Sequence, residues 1–215
     1  MNSPHRTLEG KVIVIIGGST GLGSSAARAC VRAGARVVIT GRNAESLAAA
    51  GAGLGEAGAT LAGDARDPDH APAAIRLARE RFGGFHGLYH VAGGSGRRFG
   101  DGPLHEITDE GLRATLELNL HSVVLSNRAA VRQFLAQGSG GSVLNLSSVL
   151  AWSPSPAHFA THAYAAAKAA GGGALEFIER EMVSRALTDL GGDAASAAKI
   201  LGITKAAVQK RAKGA

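Results

Sequence analysis

Along the first 170 residues of this 215-residue chain, short apolar or β-branched runs alternate with longer amphipathic segments. Such alternation is expected of a parallel sheet covered by helices on both faces: a doubly buried strand reads as a continuous apolar run, and a covering helix shows one apolar face. The runs predict strands at Val12–Ile16, Arg36–Thr40, Ala59–Ala62, Gly87–Val91 and Ser142–Ser147. Helices are predicted over Gly21–Ala33, Ala44–Gly53, Pro72–Phe82 and Thr108–Gln137, with a further one beginning near His162. After Ala170 the pattern changes, with Gly171, Gly172 and Gly173 in succession and no β-like run beyond them. Glycine in a helix interior costs about 1 kcal/mol relative to alanine, so three together predict a break.

Composition narrows this picture in three places. A length of 215 residues with 45% hydrophobic content suits one full α/β core or a medium domain with a small appendage. The longest apolar run, Val12–Ile16, falls far short of the roughly 20 residues that cross a bilayer, and the N-terminal stretch lacks the regions of a signal peptide. A soluble, cytoplasmic protein without a membrane partner is the expectation. Cys30 is the single cysteine, which excludes an intrachain disulfide and a cysteine-built metal site and suggests a small core residue. The net charge of +6 is unevenly spread: Lys199, Lys205, Lys210, Arg211 and Lys213 lie in a stretch from Ala194 to the C-terminus that contains no acid.

Candidate chemistry begins at the turn out of the first strand, "VIVIIGGSTGLGSSAARA". Gly17, Gly21 and Gly23 would let the backbone turn tightly and approach a pyrophosphate, which the free amides and positive end of the next helix would stabilise. Ser19, Thr20 and Leu22 belong to the same turn. The second strand ends in Gly41, Arg42 and Asn43, where a site selective for NAD would offer a carboxylate. The guanidinium of Arg42 can instead pair with a 2′-phosphate, which favours NADP(H) over NAD(H). Asp64, after the third strand, could accept from an adenine amine or cap the following helix. Tyr164 and Lys168 are four positions apart, so they share one helical face, and an ammonium there can lower a phenol's pKa. Such a phenol can act as general acid to a carbonyl or general base to an alcohol.

Taken together and in order, these motifs over residues 8–170 resemble the short-chain dehydrogenase/reductase family. To the glycine turn and Asp64 the resemblance adds Ala92 and Gly93 of "HVAGG", Asn119 of "LELNLHS", and the serine pair of "GSVLNLSSVLAWSP", of which Ser148 is the better catalytic candidate and Ser147 the other. It implies a Rossmann-like doubly wound sheet and hydride transfer between a nicotinamide and a small carbonyl or secondary-alcohol substrate. Within that mechanism Ser148 would polarise the carbonyl oxygen and Tyr164 would exchange its proton. Lys168 would lower the tyrosine's pKa and hold the nicotinamide ribose, and Asn119 would anchor a water linking the lysine to bulk. The sequence departs from the family pattern at Ile16, where a threonine is usual, and at His90 and Val91, where the family has asparagines; these changes should loosen a network that supports the backbone. The interval of 16 positions from Ser148 to Tyr164 exceeds the family's usual spacing and implies a longer loop. His158 and His162 in that loop have no accompanying carboxylate or cysteine, so loop packing or substrate contact is expected and no metal.

The last strands of that family's sheet are not recognisable after the three glycines. Residues 174–215 instead read as three helices: Leu175–Leu190 ending at Gly191 and Gly192, a short helix capped by Asp193 and ending at Leu201, and a basic helix capped by Thr204 after a turn at Gly202. This segment resembles the Fis-type helix-turn-helix, with Ala197, Ala198, Leu201, Gly202 and Ile203 matching its core. The resemblance implies DNA contact by the final helix, with Thr204, Lys205, Lys210 and Arg211 as candidates. Three units follow: a dinucleotide-binding and catalytic domain over 1–170, a glycine junction at 171–173 and a helix-turn-helix-like module over 174–215. From the residues alone, three readings stand open: an NADP(H)-dependent oxidoreductase, a DNA-binding regulator that senses NADP(H), and an inactive chimera. Both resemblances imply a homo-oligomer.

Overall fold

Alternate residues of a strand face opposite sides of its sheet, and the two cores of the molecule follow from that periodicity. The computed structural model describes residues 7–153, 155, 158–171, 187, 191–201 and 205–212. Its strands are β1 (Val12–Ile16), β2 (Arg36–Gly41), β3 (Gly58–Ala62), β4 (Gly87–His90) and β5 (Ser142–Asn145), and they form one parallel sheet in the order β3-β2-β1-β4-β5. The crossovers are α1 (Gly21–Arg32), α2 (Ala44–Ala52), α3 (His70–Phe82) and a long helical stretch containing α4 (Asp109–Leu116) and α5 (Ser122–Gln137). A helix α6 follows over residues 162–171.

Val12, Val14 and Ile16 of β1 and Val38 of β2 project to one side, where they pack with Ala74, Ile75 and Ala78 of α3 and Ala130 and Phe134 of α5. Ile15 of β1 and Val37 and Ile39 of β2 project to the other side, against Ala27 of α1 and Leu47 of α2. On the first side Phe85 and Phe134 stack with ring centroids 4.8 Å apart. The half-buried Cys30 packs against the second core, as expected of a small core residue, and burial raises its thiol pKa.

The observed strands match the predicted runs to within two residues, and the helices depart from the expectation as follows. The predicted helix Thr108–Gln137 starts at Asp109, with Thr108 as its cap, and is interrupted by a π-helical turn at Glu117–His121. Gly171 is helical, so the predicted break does not fall on it; Gly172 and Gly173 lie outside the described residues. Of the expected helix Leu175–Leu190, only Leu187 is described, and it is helical.

Beyond it, Gly191 and Gly192 take φ of 59° and 87°, and the Gly192 amide donates to the Leu187 carbonyl at 2.7 Å. Asp193 then caps α7 (Ala194–Leu201): its carboxylate accepts from the Ala195 amide at 2.9 Å and the Ser196 hydroxyl at 2.6 Å. A last helix, α8 (Lys205–Ala212), carries the buried Val208, and α7 buries Ala197 and Ala198. Thr204 lies outside the described residues; Lys205 is exposed on α8, and Lys210 and Arg211 fall within that helix. Among the described residues no helix is long and apolar enough to cross a membrane, and no group of three or more His, Cys, Asp or Glu could hold a metal ion.

Candidate functional site

A groove of about 370 Å³ runs across the carboxyl ends of β1, β2 and β4, the position where open parallel sheets receive ligands. Gly17, Ser19, Thr20, Gly21 and Leu22 form one wall, Gly41, Arg42 and Asp64 one end, and Ala92, Gly93, Gly94, Tyr164 and Lys168 the other. The cofactor-side candidates, scattered over 150 positions of sequence, are thus gathered along one surface with Tyr164 and Lys168, whereas Gly23, Asn119, Ser147 and Ser148 are not part of its lining.

At the β1–α1 turn the backbone leaves no room for a side chain at Gly17 or Gly23. Gly17 has φ of 95°, and a Cβ there would lie 2.6 Å from the Ala92 nitrogen; a Cβ on Gly23 would lie 2.1 Å from the Gly17 carbonyl oxygen. Thr20 is the extended N-cap of α1, makes no side-chain cap, and no acid occupies the first turn. The amides at this helix start are therefore available to an anion, which the helix dipole also favours. Close backbone approach, unspent amides and a missing acid fit a dinucleotide pyrophosphate.

At the far end, Asn43 is committed to structure, its Oδ1 accepting from the Ser46 amide at 2.8 Å to cap α2. Arg42, exposed, is the neighbouring side chain left for a ligand. Asp64 lines the groove, and Arg66 grips its carboxylate: Arg66 Nη2 donates to Oδ2 at 2.7 Å, Nε to Oδ1 at 3.1 Å, and the Arg66 amide to Oδ1 at 2.9 Å. These hydrogen bonds hold the Asp64 carboxyl down at about 2. Asp64 does not cap α3, whose N-cap residue is Asp69. Arg66 was not legible as a site residue, because a lone arginine in a loop carries no periodic signal.

Around Lys168 the arrangement is tight. Lys168 is 5% exposed, its Nζ donates to the Leu146 carbonyl at 2.9 Å, and it lies 5.8 Å from the Tyr164 ring centroid on the same face of α6. Burial lowers the lysine's pKa from its ordinary value. A Cβ on Gly93 would come 2.8 Å from Asn119 Oδ1 and 3.2 Å from Lys168 Nζ, so only glycine fits between them. Asn119, within the π-helical turn, is fully buried and spends its side chain on Gly94, accepting from the amide at 3.0 Å and donating to the carbonyl at 2.9 Å. Ser147 and Ser148 differ. Ser147 donates to the Lys168 carbonyl at 3.1 Å, whereas Ser148 accepts from the Leu150 amide at 3.3 Å and keeps its proton to give.

His90 corrects the expectation of a loosened network. Its ring is 1% exposed; Nε2 meets the Ala92 carbonyl at 3.0 Å and Nδ1 meets Ser126 Oγ at 2.7 Å, with Ser122 Oγ 3.3 Å from Nε2. The carbonyl partner assigns the proton to Nε2, leaving Nδ1 to accept from Ser126. The imidazole therefore supports the backbone of the "HVAGG" turn from within. Burial, with some help from the Lys168 charge, lowers its pKa from 6.5 to about 4. The folded state then binds the proton less readily than the unfolded chain. Stability is unaffected above pH 6.5, falls as pH drops from 6.5 toward 4, and loses no more to this group below that. Chemical unfolding at pH 7 and pH 4.5 should show about 2–3 kcal/mol of loss from His90, and His90→Asn should remove that part of the slope; an identical slope in the variant would contradict the assignment.

The loop histidines are both exposed and hydrogen-bonded within their surroundings. His162 Nδ1 meets the Gly102 carbonyl at 2.9 Å and His158 Nδ1 meets Ser155 Oγ at 3.2 Å, while Arg97 reaches the His158 carbonyl at 3.4 Å. Sequence reasoning also missed Asp101. It lies 3% exposed in the loop between β4 and α4, and its two oxygens accept from the Ala163 and Tyr164 amides, each at 3.0 Å.

Comparison with known proteins follows the same lines. The sequence profile of the short chain dehydrogenases matches residues 11–188, running past the glycines at 171–173. Over 173 residues the chain is 35% identical to a (5R,7aS)-5-hydroxy-7a-methyl-1-oxo-2,3,5,6,7,7a-hexahydro-1H-indene-carboxyl-CoA reductase of Mycobacterium tuberculosis, covering 77% of this chain and 62% of that protein. Over 153 residues it is 32% identical to an L-rhamnose 1-dehydrogenase (NAD(P)(+)) of a Sphingomonas species, covering 68% of this chain and 58% of that protein. The chain thus spans about three fifths of the length of these two relatives. A crystal structure of a short chain dehydrogenase from Mycobacterium smegmatis superposes with a TM-score of 0.70 at 31% identity, over 78% of this chain and 68% of that one.

Proposed function

The chain belongs to the short chain dehydrogenase family, and from that premise we propose that it is an NADP(H)-dependent oxidoreductase acting on a small carbonyl or secondary alcohol. The single observation that carries this reading is the groove that joins the Gly17–Gly23 turn to Tyr164 and Lys168 along one surface. The bound nicotinamide would supply the hydride. The protein's own residues do the rest. The α1 amides and glycine turn hold the pyrophosphate, and Gly93 admits the nicotinamide end beside Lys168. The Ser148 hydroxyl, with its proton free, is suited to orient and polarise the carbonyl oxygen, and the Tyr164 phenol to exchange a proton with it. Lys168 places its ammonium beside that phenol and is oriented by the Leu146 carbonyl. Asn119 acts in this reading through Gly94, holding the groove wall. The two named relatives act on chemically distant molecules, a sugar and a CoA thioester, so their names narrow the substrate no further.

NADP(H) is favoured over NAD(H) because Arg42 stands at the end of β2 with no carboxylate beside it, Asn43 being spent on a cap and Asp64 neutralised by Arg66. A charge-assisted hydrogen bond contributes about 1.5–3 kcal/mol, so Arg42→Ala should weaken NADPH by about 10–100-fold. NADH affinity should stay unchanged. Fluorescence titration with both cofactors tests this; equal losses for the two, or none, would remove the preference for NADP(H).

A second reading, DNA contact through the C-terminal helices, draws on the Asp193-capped α7 followed by α8, whose buried Ala197, Ala198 and Val208 suit a helix pair. A salt-sensitive shift of DNA fragments by the full chain would uphold it, and no shift would remove it.

A further inference from the structure

An α-helix begins with amides that have no partner inside it, and these are ordinarily met by a Ser, Thr, Asp or Asn immediately before the first turn. At α6, whose first described turn carries Tyr164, the cap comes from elsewhere. Thr161 supplies only its carbonyl, to the Ala165 amide at 3.0 Å. The amides of Ala163 and Tyr164 go instead to Asp101, 62 and 63 positions away, one to each carboxylate oxygen. Asp101, Thr161 and Ala163 are 3%, 4% and 3% exposed, so these bonds are shielded from water. The negative charge also faces the positive end of the helix dipole.

The loop that delivers Asp101 is itself fixed at both ends. Gly94, on the groove wall, is held at its amide and carbonyl by Asn119. The Asp101 amide donates to the Gly96 carbonyl at 3.1 Å, and the Thr108 amide to the Gly100 carbonyl at 3.3 Å. Gly96 sits so close to Thr115 and Asp101 that no side chain fits there. A second grip follows one residue on, where the Gly102 carbonyl meets His162 Nδ1. One short segment therefore ties the cofactor-side wall of the groove to the backbone of the residue that bears the phenol.

We infer that Asp101 is a positioning residue: by capping α6 from the 94–101 loop, it sets where the Tyr164 phenol stands relative to the groove. The inference deepens the oxidoreductase reading and rests on it. Two acceptor oxygens are needed for two amides. Asparagine would keep the volume but set a donor NH₂ against one of the amides; alanine would leave both bare.

The test uses the full chain, Asp101→Asn and Asp101→Ala. It measures kcat and KM over a carbonyl panel, NADPH affinity by fluorescence, and hydrogen exchange at the Ala163 and Tyr164 amides. A displacement of about 1 Å at a reacting group can cost roughly 100-fold in rate. Asp101→Asn should thus lower kcat by about 30–100-fold while NADPH affinity stays within about twofold, and exchange at both amides should speed up. Unchanged kcat, or a loss of NADPH affinity as large as the loss of kcat, would overturn the inference, the second result marking a general structural fault. Should Asp101→Ala fail to fold, Asp101→Asn decides alone. Should the wild-type chain bind NADPH and reduce no carbonyl, the oxidoreductase reading fails by itself. The exchange comparison still judges the clamp: faster exchange in Asp101→Asn upholds it and unchanged exchange overturns it.

Discussion

Tyr164→Phe is expected to lower carbonyl reduction by about 10²–10⁴-fold while NADPH affinity stays within about twofold, the effect of deleting one general acid from a site that otherwise still binds. The substitution removes a single oxygen from a half-buried side chain and leaves the ring, its packing and the Asp101 cap in place. Lys168 remains anchored by the Leu146 carbonyl, so the cofactor-side contacts survive. Turnover over a panel of aldehydes and ketones, followed by NADPH absorbance in wild type and variant, provides the measurement. Oxidation of NADPH at the same rate in both would show that the phenol carries no chemistry and would end the oxidoreductase reading in its present form. Loss of NADPH binding in the variant would instead assign Tyr164 to the cofactor alone.

Gly23→Ala is expected to weaken NADPH by about 10–100-fold, the loss of one charge-assisted hydrogen bond of about 1.5–3 kcal/mol. The cause is space alone. The added methyl would fall 2.1 Å from the Gly17 carbonyl oxygen and 3.0 Å from the Gly18 Cα, and these are backbone atoms with no rotamer to yield. The turn must open, carrying the α1 amides away from the positions in which they meet a pyrophosphate. Titration of NADPH together with a thermal melt measures both consequences, the second because crowding in packed regions costs typically 1–3 kcal/mol. An affinity within about twofold of wild type would mean that the turn does not hold the cofactor.

What could be read from the sequence was local. The β1 run, the glycines after it, and the interval between Tyr164 and Lys168 are each contained in a few residues, and the physics that fixes them acts over one strand, one turn or one helical face. The preference for Ser148 over Ser147 came from the family resemblance, and the structure distinguishes them by which hydroxyl is already donating. Asp101 was invisible because its partners lie across 62 positions, in a helix whose own flanking residue, Thr161, looks able to cap it. Arg66 and the His90 network escaped for a related reason: each depends on which side chains tertiary packing brings opposite, and His90 in particular reads as a defect in a motif until Ser122 and Ser126 are placed beside it. The boundary of α4 and α5 was missed because a π-helical turn keeps the apolar face nearly continuous and leaves no Gly or Pro to mark it.

That turn has a consequence for how the site could be gained or lost. A π-helical turn accommodates one residue more than the α-helical turn it replaces. Deleting one residue within Glu117–His121 would let the flanking segments rejoin as a regular helix with their buried faces, Thr115 on one side and Phe134 on the other, still turned to their present neighbours. Asn119 would lose its reach to Gly94, and with it the groove wall its anchor. Single-residue insertion or deletion is therefore a route by which a lineage could acquire or discard this anchor while its sheet and helices stay intact.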